Sequence, residues 1–156
     1  MMTRTDIFNP EQGVIVYTDG SASTKDRTGG WAWIALDCDN GLIEESGGEE
    51  DTTISRMELT AAIMALEFLS GETGANAVLV ISDSKYVVDG FNDKTRARNK
   101  NGDLWNYLEE AVLRFYVVEF EHVKGHDGDY WNERADKAAG AARAVIVESK
   151  VQPKKG

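Results

Sequence analysis

The sequence contains a single cysteine, Cys38, among its 156 residues. One thiol excludes an internal disulfide, and it also excludes the cysteine clusters that hold zinc or iron–sulfur centres. No stretch approaches the roughly 20 apolar residues of a membrane-spanning helix, and the initial segment MMTRTDIFNPEQG lacks the apolar core of a signal peptide. We therefore expect no membrane anchor and a reducing environment, and we predict a cytoplasmic location.

Basic residues are also scarce, because 17 Lys and Arg stand against 27 Asp and Glu, which gives a net charge of −10. Such a balance ordinarily argues against a polyanionic partner, although the location of charges and bound cations matters more than their sum. Four basic residues are concentrated in the segment NDKTRARNKNG, namely Lys94, Arg96, Arg98 and Lys100. This segment is either a solvated loop or a contact for a polyanion, and composition alone leaves both open.

The first half of the chain predicts three strands followed by a helix and a further strand. VIVYTDGSAS begins as a buried strand, and Asn40-Gly41 between two strand-like runs indicates a hairpin with a two-residue turn. TTISRMELTAAIMALEFLSG is typical of a helix, capped by Thr53 or Ser55 and ended by Gly71. AVLVISDS is a continuous apolar run, as expected for a parallel strand that is buried on both faces.

The second half predicts a short helix in SKYVVDGF, a helix in DLWNYLEEAVLRFY capped by Asp103, a strand in VVEFEHVKG and a last helix in WNERADKAAGAARAVIVES. This order indicates one α/β domain on a mixed sheet. We expect a flexible segment over residues 1–12, a single domain over 13–148 and a disordered tail over 149–156. The four tryptophans are predicted to pack in the core: Trp31, Trp33, Trp105 and Trp131.

Four carboxylates occupy places where the local pattern favours apolar or neutral side chains: Asp19, Glu58, Asp83 and Asp136. Each one alone has a simple explanation, since Asp83 could cap a helix, Asp19 could start an Asx-turn, and the other two could face solvent. Buried together, they would cost several kcal/mol unless cations neutralised them. Oxygen ligands without cysteine suit Mg²⁺ or Mn²⁺, and two such ions about 4 Å apart can support in-line phosphoryl transfer.

Five ordered segments carry a family resemblance: YTDGSAS, TTISRMELTAAI, VISDSKYVVDG, VKGHDG and NERADKAA. Their order and approximate spacing, over residues 13–142, resemble type 1 ribonuclease H. The resemblance implies an α/β ribonuclease H-like fold, with a five-stranded mixed sheet whose first three strands are antiparallel and which is flanked by helices. It also implies endonucleolytic cleavage of the RNA strand of an RNA–DNA hybrid, leaving 5′-phosphate and 3′-hydroxyl ends.

The same resemblance implies a role for individual residues. Asp19, Glu58, Asp83 and Asp136 would be the catalytic acids that bind two Mg²⁺ ions, with Mn²⁺ as a possible substitute and Asp19 bridging both. His126 would assist proton transfer or product release. Arg56 and His122 are expected to be structural. The predicted substrate-binding residues are Gly20, Ser21, Lys25, Thr53, Ser55, Lys85 and Asn132.

The chain also departs from the family pattern. Ile54 and Ser55 precede the RMEL segment where relatives often have two asparagines, and the basic segment is short and lacks tryptophan. These departures predict fewer phosphate contacts and weaker substrate binding. Two alternatives stay open: a non-catalytic nucleic-acid-binding module of the same fold, and a metal-dependent nuclease that acts on another duplex. We expect a monomer without a dedicated protein partner.

Overall fold

A five-stranded mixed sheet forms the centre of the molecule, seen in a computed structural model that describes residues 13–37, 41–72, 76–93, 100–125 and 129–151. The strands are β1 (Gly13–Ala22), β2 (Gly29–Asp37), β3 (Gly41–Glu49), β4 (Ala77–Ser82) and β5 (Val117–His122). They lie in the order β3-β2-β1-β4-β5. The first three are antiparallel, whereas β1 pairs in parallel with β4, and β4 with β5. The sheet predicted from the sequence is confirmed.

Helices cover both faces of this sheet. They are α1 (Ile54–Glu72), α2 (Lys85–Asn92), α3 (Gly102–Val112) and α4 (Tyr130–Val151). Helix α1 packs on β1 and β2, and α3 packs against α1. Helix α4 packs on β1, β2 and β3. Over the described ranges, no helix combines the length and the apolar character needed to cross a membrane.

Alternation along the strands divides the core into two layers, because successive strand side chains point to opposite faces. Val14 and Val16 of β1 belong to the layer beneath α1, whereas Tyr17 joins the layer that includes Ala135 of α4. Trp31, Trp33 and Trp105 are buried in the layer beneath α1. Trp131 is partly buried and packs against the layer on the α4 side. The predicted core role of the tryptophans is confirmed.

Two local predictions are wrong. The predicted hairpin is present, because β2 and β3 pair as neighbouring antiparallel strands, but its two-residue turn is wrong, since Gly41 belongs to β3 and pairs with Asp37; its neighbour Asn40 lies outside the described residues. Asp103 does not cap α3, because Asn101 occupies the N-cap position with a left-handed backbone at φ 62°. The carboxylate of Asp103 instead accepts hydrogen bonds from a side chain of another helix, Arg56.

The chain ends fall only partly within the described residues. Helix α4 continues to Val151, so it includes the first residues of the segment predicted as a tail. Residues 1–12 and 152–156 lie outside the described part of the chain, as do most of the basic segment and His126. The domain boundaries inferred from the sequence therefore stay predictions.

Candidate active site

Asp19 lies near the end of β1, in the centre of the sheet, and is only 2% exposed. Its backbone pairs with Ala32 of β2. Its Oδ1 atom accepts a hydrogen bond from the Gly20 N–H at 2.9 Å, whereas the buried Oδ2 atom receives none from the described residues. A strand that places a carboxylate here buries an acceptor without a donor, which is costly unless another group satisfies it.

Glu58 reaches Asp19 because α1 lies unusually close to β1. A Cβ atom on Gly20 would lie 2.5 Å from the Glu58 backbone nitrogen, so only glycine allows this approach. The Gly20 N–H also donates to Glu58 Oε1 at 2.8 Å. Glu58 is 6% exposed, and the alternative that it faces solvent is therefore excluded.

Asp83 follows β4 directly and is half-buried. It does not cap α2, because Ser84 occupies the N-cap and its Oγ accepts a hydrogen bond from the Val87 N–H at 3.3 Å. The Asp83 side chain is thus free to turn toward the other acids. One carboxylate oxygen from each of Asp19, Glu58 and Asp83 lies within 4.8 Å of the others.

Asp136 approaches the same place from α4. It is half-buried and lines a groove together with the other three acids, and its carboxyl group is one of the neighbours that raise the pKa of Asp19. The compact group of three potential ligand atoms does not include it. The structure therefore brings all four predicted acids to one groove, with Asp136 at its wall.

Burial and mutual repulsion disfavour the charged forms of these carboxyl groups. Burial is the largest cause that raises the pKa of Asp19, followed by its contact with the Glu58 carboxyl group, which becomes a hydrogen bond when one of the two is protonated, and by repulsion from Glu58 and Asp83. Burial also raises the pKa of Glu58, although hydrogen bonds from Asp19 and from the Gly20 N–H act in the opposite direction. A hydrogen bond between two carboxyl groups requires that one of them keeps its proton.

The groove fits a hard divalent cation. It offers an unsatisfied buried carboxylate oxygen on Asp19, further carboxylates within ligand distance and no sulfur or nitrogen ligand in the three-acid group. Oxygen ligands of this kind are preferred by Mg²⁺ and Mn²⁺. A bound cation would also replace the proton that otherwise relieves the repulsion between Asp19 and Glu58.

The groove has a volume of about 500 Å³. Of the predicted substrate-binding residues, Gly20, Ser55 and Lys85 line it. Ser21 and Lys25 lie outside this lining, and Lys25 belongs to an exposed turn. His126 lies outside the described residues.

Two further predicted contacts have structural partners within the protein. Thr53 is exposed, and its Oγ1 accepts a hydrogen bond from the Arg56 N–H at 3.3 Å, as an N-cap of α1 does. Asn132 is only 2% exposed near the start of α4; its backbone N–H donates to Asp129 Oδ1 at 3.1 Å, whereas its side-chain Oδ1 accepts no hydrogen bond from the described residues. The substrate contact predicted for Asn132 therefore stays a prediction.

The groove includes residues that reasoning from the sequence missed, namely Ser84, Tyr86 and Gly125. The hydroxyl of Tyr86 accepts hydrogen bonds from Asn101 Nδ2 at 3.0 Å and from Trp105 Nε1 at 3.2 Å. Its position beside Lys85 in SKYVVDG was a usable signal, since both residues closely follow Asp83, the acid after β4. Arg56 forms the expected ion pair near the site, contacting Asp103 with two nitrogens at 2.8 and 3.0 Å.

Known proteins resemble this chain over most of its length. Residues 11–144 match the family RNase H. A ribonuclease H from Alcanivorax borkumensis is 44% identical over 140 residues, which cover 82% of this chain and 89% of the relative. A ribonuclease HI from Pseudomonas aeruginosa is 41% identical over 148 residues, which cover 87% of this chain and 97% of the relative.

Solved structures show the same fold. The N-terminal RNase H domain of a Mycobacterium tuberculosis protein, solved as a fusion with maltose-binding protein, superposes with a TM-score of 0.77 at 22% identity, covering 89% of this chain and 99% of that one. An RNase H1 from Halobacterium salinarum superposes with a TM-score of 0.72 at 24% identity, covering 85% and 98%. At these identities the structural similarity concerns the fold alone.

Proposed function

The chain belongs to the ribonuclease H family, and on that premise we propose that it is an endonuclease that hydrolyses the RNA strand of RNA–DNA hybrids. One observation supports this most directly: the oxygens of Asp19, Glu58 and Asp83, which are far apart in the sequence, lie within 4.8 Å of one another. A binding module without catalysis would have no need to maintain buried carboxylates that repel each other.

The proposed cofactor is Mg²⁺, two ions per site, with Mn²⁺ as a substitute. Asp19, Glu58, Asp83 and Asp136 would hold the ions. Divalent ions bound there would activate a water nucleophile and stabilise charge on the leaving oxygen. The protein's own part is to hold four carboxylates from four elements in one groove and to keep them poorly solvated, which strengthens their attraction for a cation.

The reaction balances as a hydrolysis. Water adds to the phosphorus atom, the bond between phosphorus and the 3′-oxygen breaks, the hydroxyl group remains on the new 5′-phosphate, and the proton ends on the 3′-oxygen. We propose that His126 assists this proton transfer or the release of product, as its place in the VKGHDG segment implies. A histidine titrates near neutral pH, which suits either task.

Recognition of the RNA strand requires contact with its 2′-hydroxyl groups, because these distinguish RNA from DNA. We propose that the Gly20 and Ser21 backbone, Glu58 and Lys85 provide this contact. The support is the position of Gly20, Glu58 and Lys85 on the lining of the groove. Ser55 on the same lining, and Lys25, Thr53 and Asn132 outside it, complete the proposed set.

The proposal includes monomeric action in the cytoplasm without a dedicated protein partner. A net charge of −10 disfavours self-association, and one cysteine fits a reducing compartment. Size-exclusion chromatography with light scattering would test the monomer, and a dimer at micromolar concentration would contradict it.

A cleavage assay tests the activity. With labelled RNA–DNA hybrid and Mg²⁺, we expect the Asp19→Asn variant to lose activity by at least about 10²-fold, because charge stabilisation at the scissile phosphate is lost. Asp51→Asn is the matched control, since Asp51 is exposed and its positive φ of 51° is tolerated by asparagine. Equal cleavage by Asp19→Asn and the wild type would contradict the proposal.

The same assay separates the alternatives. Hybrid, RNA duplex and DNA duplex are compared in parallel with Mg²⁺ and with Mn²⁺. Preferential cleavage of the RNA duplex or DNA duplex would identify a nuclease for another substrate. Hybrid binding without cleavage under either ion would identify a binding module.

A further inference from the structure

The chain leaves the sheet at Asp83, where backbone carbonyl groups no longer accept hydrogen bonds from a neighbouring strand. Strand β5 ends at His122, whose register partner on β4 is Ser82. The Val123 N–H donates to the Ser82 carbonyl at 2.9 Å, which extends the backbone pairing as far as that residue. The next carbonyl belongs to Asp83, one of the proposed metal ligands, and lies beyond the paired strands.

The His122 side chain provides the partner. Its Nε2 atom lies 3.2 Å from the Asp83 carbonyl oxygen. Because a carbonyl oxygen only accepts, this contact is a hydrogen bond when Nε2 carries a proton and donates it. His122 itself is half-buried, and it does not belong to the lining of the groove.

We propose that His122 is a positioning residue for the metal centre: its imidazole fixes the Asp83 peptide and thereby directs the Asp83 carboxylate toward Asp19 and Glu58. This inference rests on the proposed function. It goes beyond the structural role expected for His122 from the sequence, because it links β5 to the affinity of the groove for a cation. Mutating a partner that orients a metal ligand typically lowers metal affinity or activity by about 10–100-fold.

The neighbouring contacts explain why this one bond matters. On the α2 side, the Ser84 N–H donates to Ser82 Oγ at 3.1 Å and holds the turn after β4. On the β5 side, a Cβ atom at Gly125 would lie 3.0 Å from Asp83 Oδ2, so the carboxylate packs against the backbone of the segment that His122 begins. A rotation of the Asp83 peptide would disturb this packing. Among the described residues, the hydrogen bond from His122 to the Asp83 carbonyl oxygen opposes such a rotation.

Two variants separate the hydrogen bond from the packing of the side chain. His122→Gln retains an amide nitrogen at about the position of Nε2, whereas His122→Met has a similar length and no donor. The primary measurement is Mn²⁺ binding to the metal-free protein by isothermal titration calorimetry. We expect His122→Met to bind Mn²⁺ about 10-fold more weakly or worse, and His122→Gln to recover most of the loss.

Steady-state cleavage of the hybrid provides the second readout. The Mg²⁺ concentration for half-maximal activity should rise in His122→Met, while KM for the hybrid at saturating Mg²⁺ stays at the wild-type value. Unchanged Mn²⁺ affinity in a folded His122→Met protein, or equal losses in both variants, would overturn the inference and leave His122 as a packing residue.

A third measurement needs no variant. Imidazole ¹⁵N NMR on the wild-type protein should show Nε2 protonated, and a tautomer with Nε2 unprotonated would overturn the inference even if His122→Met fails to fold. The outcomes also separate the two proposals. A wild-type protein that neither binds Mn²⁺ nor cleaves hybrid overturns the proposed function and this inference with it, whereas normal wild-type behaviour with an unaffected His122→Met variant overturns the inference alone.

Discussion

At the scale of the residue, Gly20 decides how closely Glu58 approaches Asp19. Gly20 is predicted from the sequence to be a substrate-binding residue. The structure gives a different reason for a glycine here, because the missing side chain is replaced by the backbone of α1, with Met57 and Glu58 atoms 2.5 to 2.6 Å from an ideal Cβ position. Glycine therefore allows Glu58 to lie beside Asp19 within the folded protein itself.

Replacing this glycine should separate α1 from β1. We expect Gly20→Ala to lower the free energy of unfolding by about 1–3 kcal/mol, as overpacking of a core does, and to reduce activity further than stability alone explains. Urea unfolding and hybrid cleavage measure the two effects. Gly71→Ala is the control, since a Cβ there has open space and should stabilise α1 by about 0.5–1 kcal/mol. Gly20→Ala with wild-type stability would contradict this account.

The carboxyl group of Asp19 should make the metal-free protein less stable as pH rises. Its pKa is raised in the folded state, so the folded protein binds more protons than the unfolded chain above the ordinary carboxyl range. Stability present at low pH is then lost as pH increases, with a slope of at most about 1.4 kcal/mol per pH unit for one carboxyl group.

Thermal melting in chelator, from about pH 5 to about pH 8, measures this dependence. We expect wild-type Tm to fall across the range and Asp19→Asn to be more stable at the upper end, because asparagine keeps an oxygen acceptor for the Gly20 N–H without a charge. Asp51→Asn should retain the wild-type slope. A wild-type Tm that increases with pH would show that the acids are not buried together.

At the scale of the element, the beginning of each helix determines which side chains reach the groove. Ser84 caps α2 and leaves Asp83 available, and Asn101 occupies the N-cap of α3 and leaves Asp103 available for Arg56. The resulting ion pair joins α1 to α3 two residues before Glu58. In both helices a neutral side chain occupies the capping position and an acid is used elsewhere.

Thr53 distinguishes a capping role from a substrate role. If its hydroxyl caps α1, Thr53→Ala should cost about 0.5–2 kcal/mol of stability while KM for the hybrid stays unchanged. Thr53→Ser keeps the hydroxyl and should restore stability. Denaturant unfolding and steady-state kinetics on the same preparations give both values. An increased KM with unchanged stability would favour the substrate contact predicted from the sequence.

At the scale of the whole molecule, a net charge of −10 has to be reconciled with a nucleic-acid substrate. The groove contains four acids, and Lys85 is the basic residue on its lining. Bound divalent cations would reverse the local charge, which is why the sum over the chain is a poor guide to its partner. We expect few phosphate contacts, and therefore hybrid binding that depends only weakly on salt.

The salt dependence of hybrid binding tests this expectation. With Asp19→Asn protein, to prevent cleavage, fluorescence anisotropy gives the affinity at several salt concentrations. Lys85→Gln should reduce the slope of log affinity against log salt by about 0.9 if Lys85 contacts one phosphate. Arg114→Gln is the control, because Arg114 is exposed before β5, at the opposite end of the parallel strands from Asp83. An unchanged slope in Lys85→Gln would remove Lys85 from the interface.

The order of elements was readable from the sequence, because periodicity and turn chemistry are local. The continuous apolar run of β4 predicted burial on both faces, and the Ala, Leu and Met content of α1 predicted a packed helix. The five motif segments indicated the family and the four acids. Local patterns did not decide whether Glu58 and Asp136 face the groove or solvent, because the rotation of a helix about its axis is set by what it packs against.

Contacts between residues that are distant in the chain depend on tertiary packing. Glu58 meets Asp19 because α1 lies against Gly20, and His122 meets the Asp83 carbonyl because β5 pairs with β4. Such contacts depend on how closely whole helices and strands pack together. Many sequences with the same local pattern would give different distances between these elements. The sequence by itself thus determined which chemical groups the protein has and on which elements they lie, and packing determined the distances that turn four separate acids into one site.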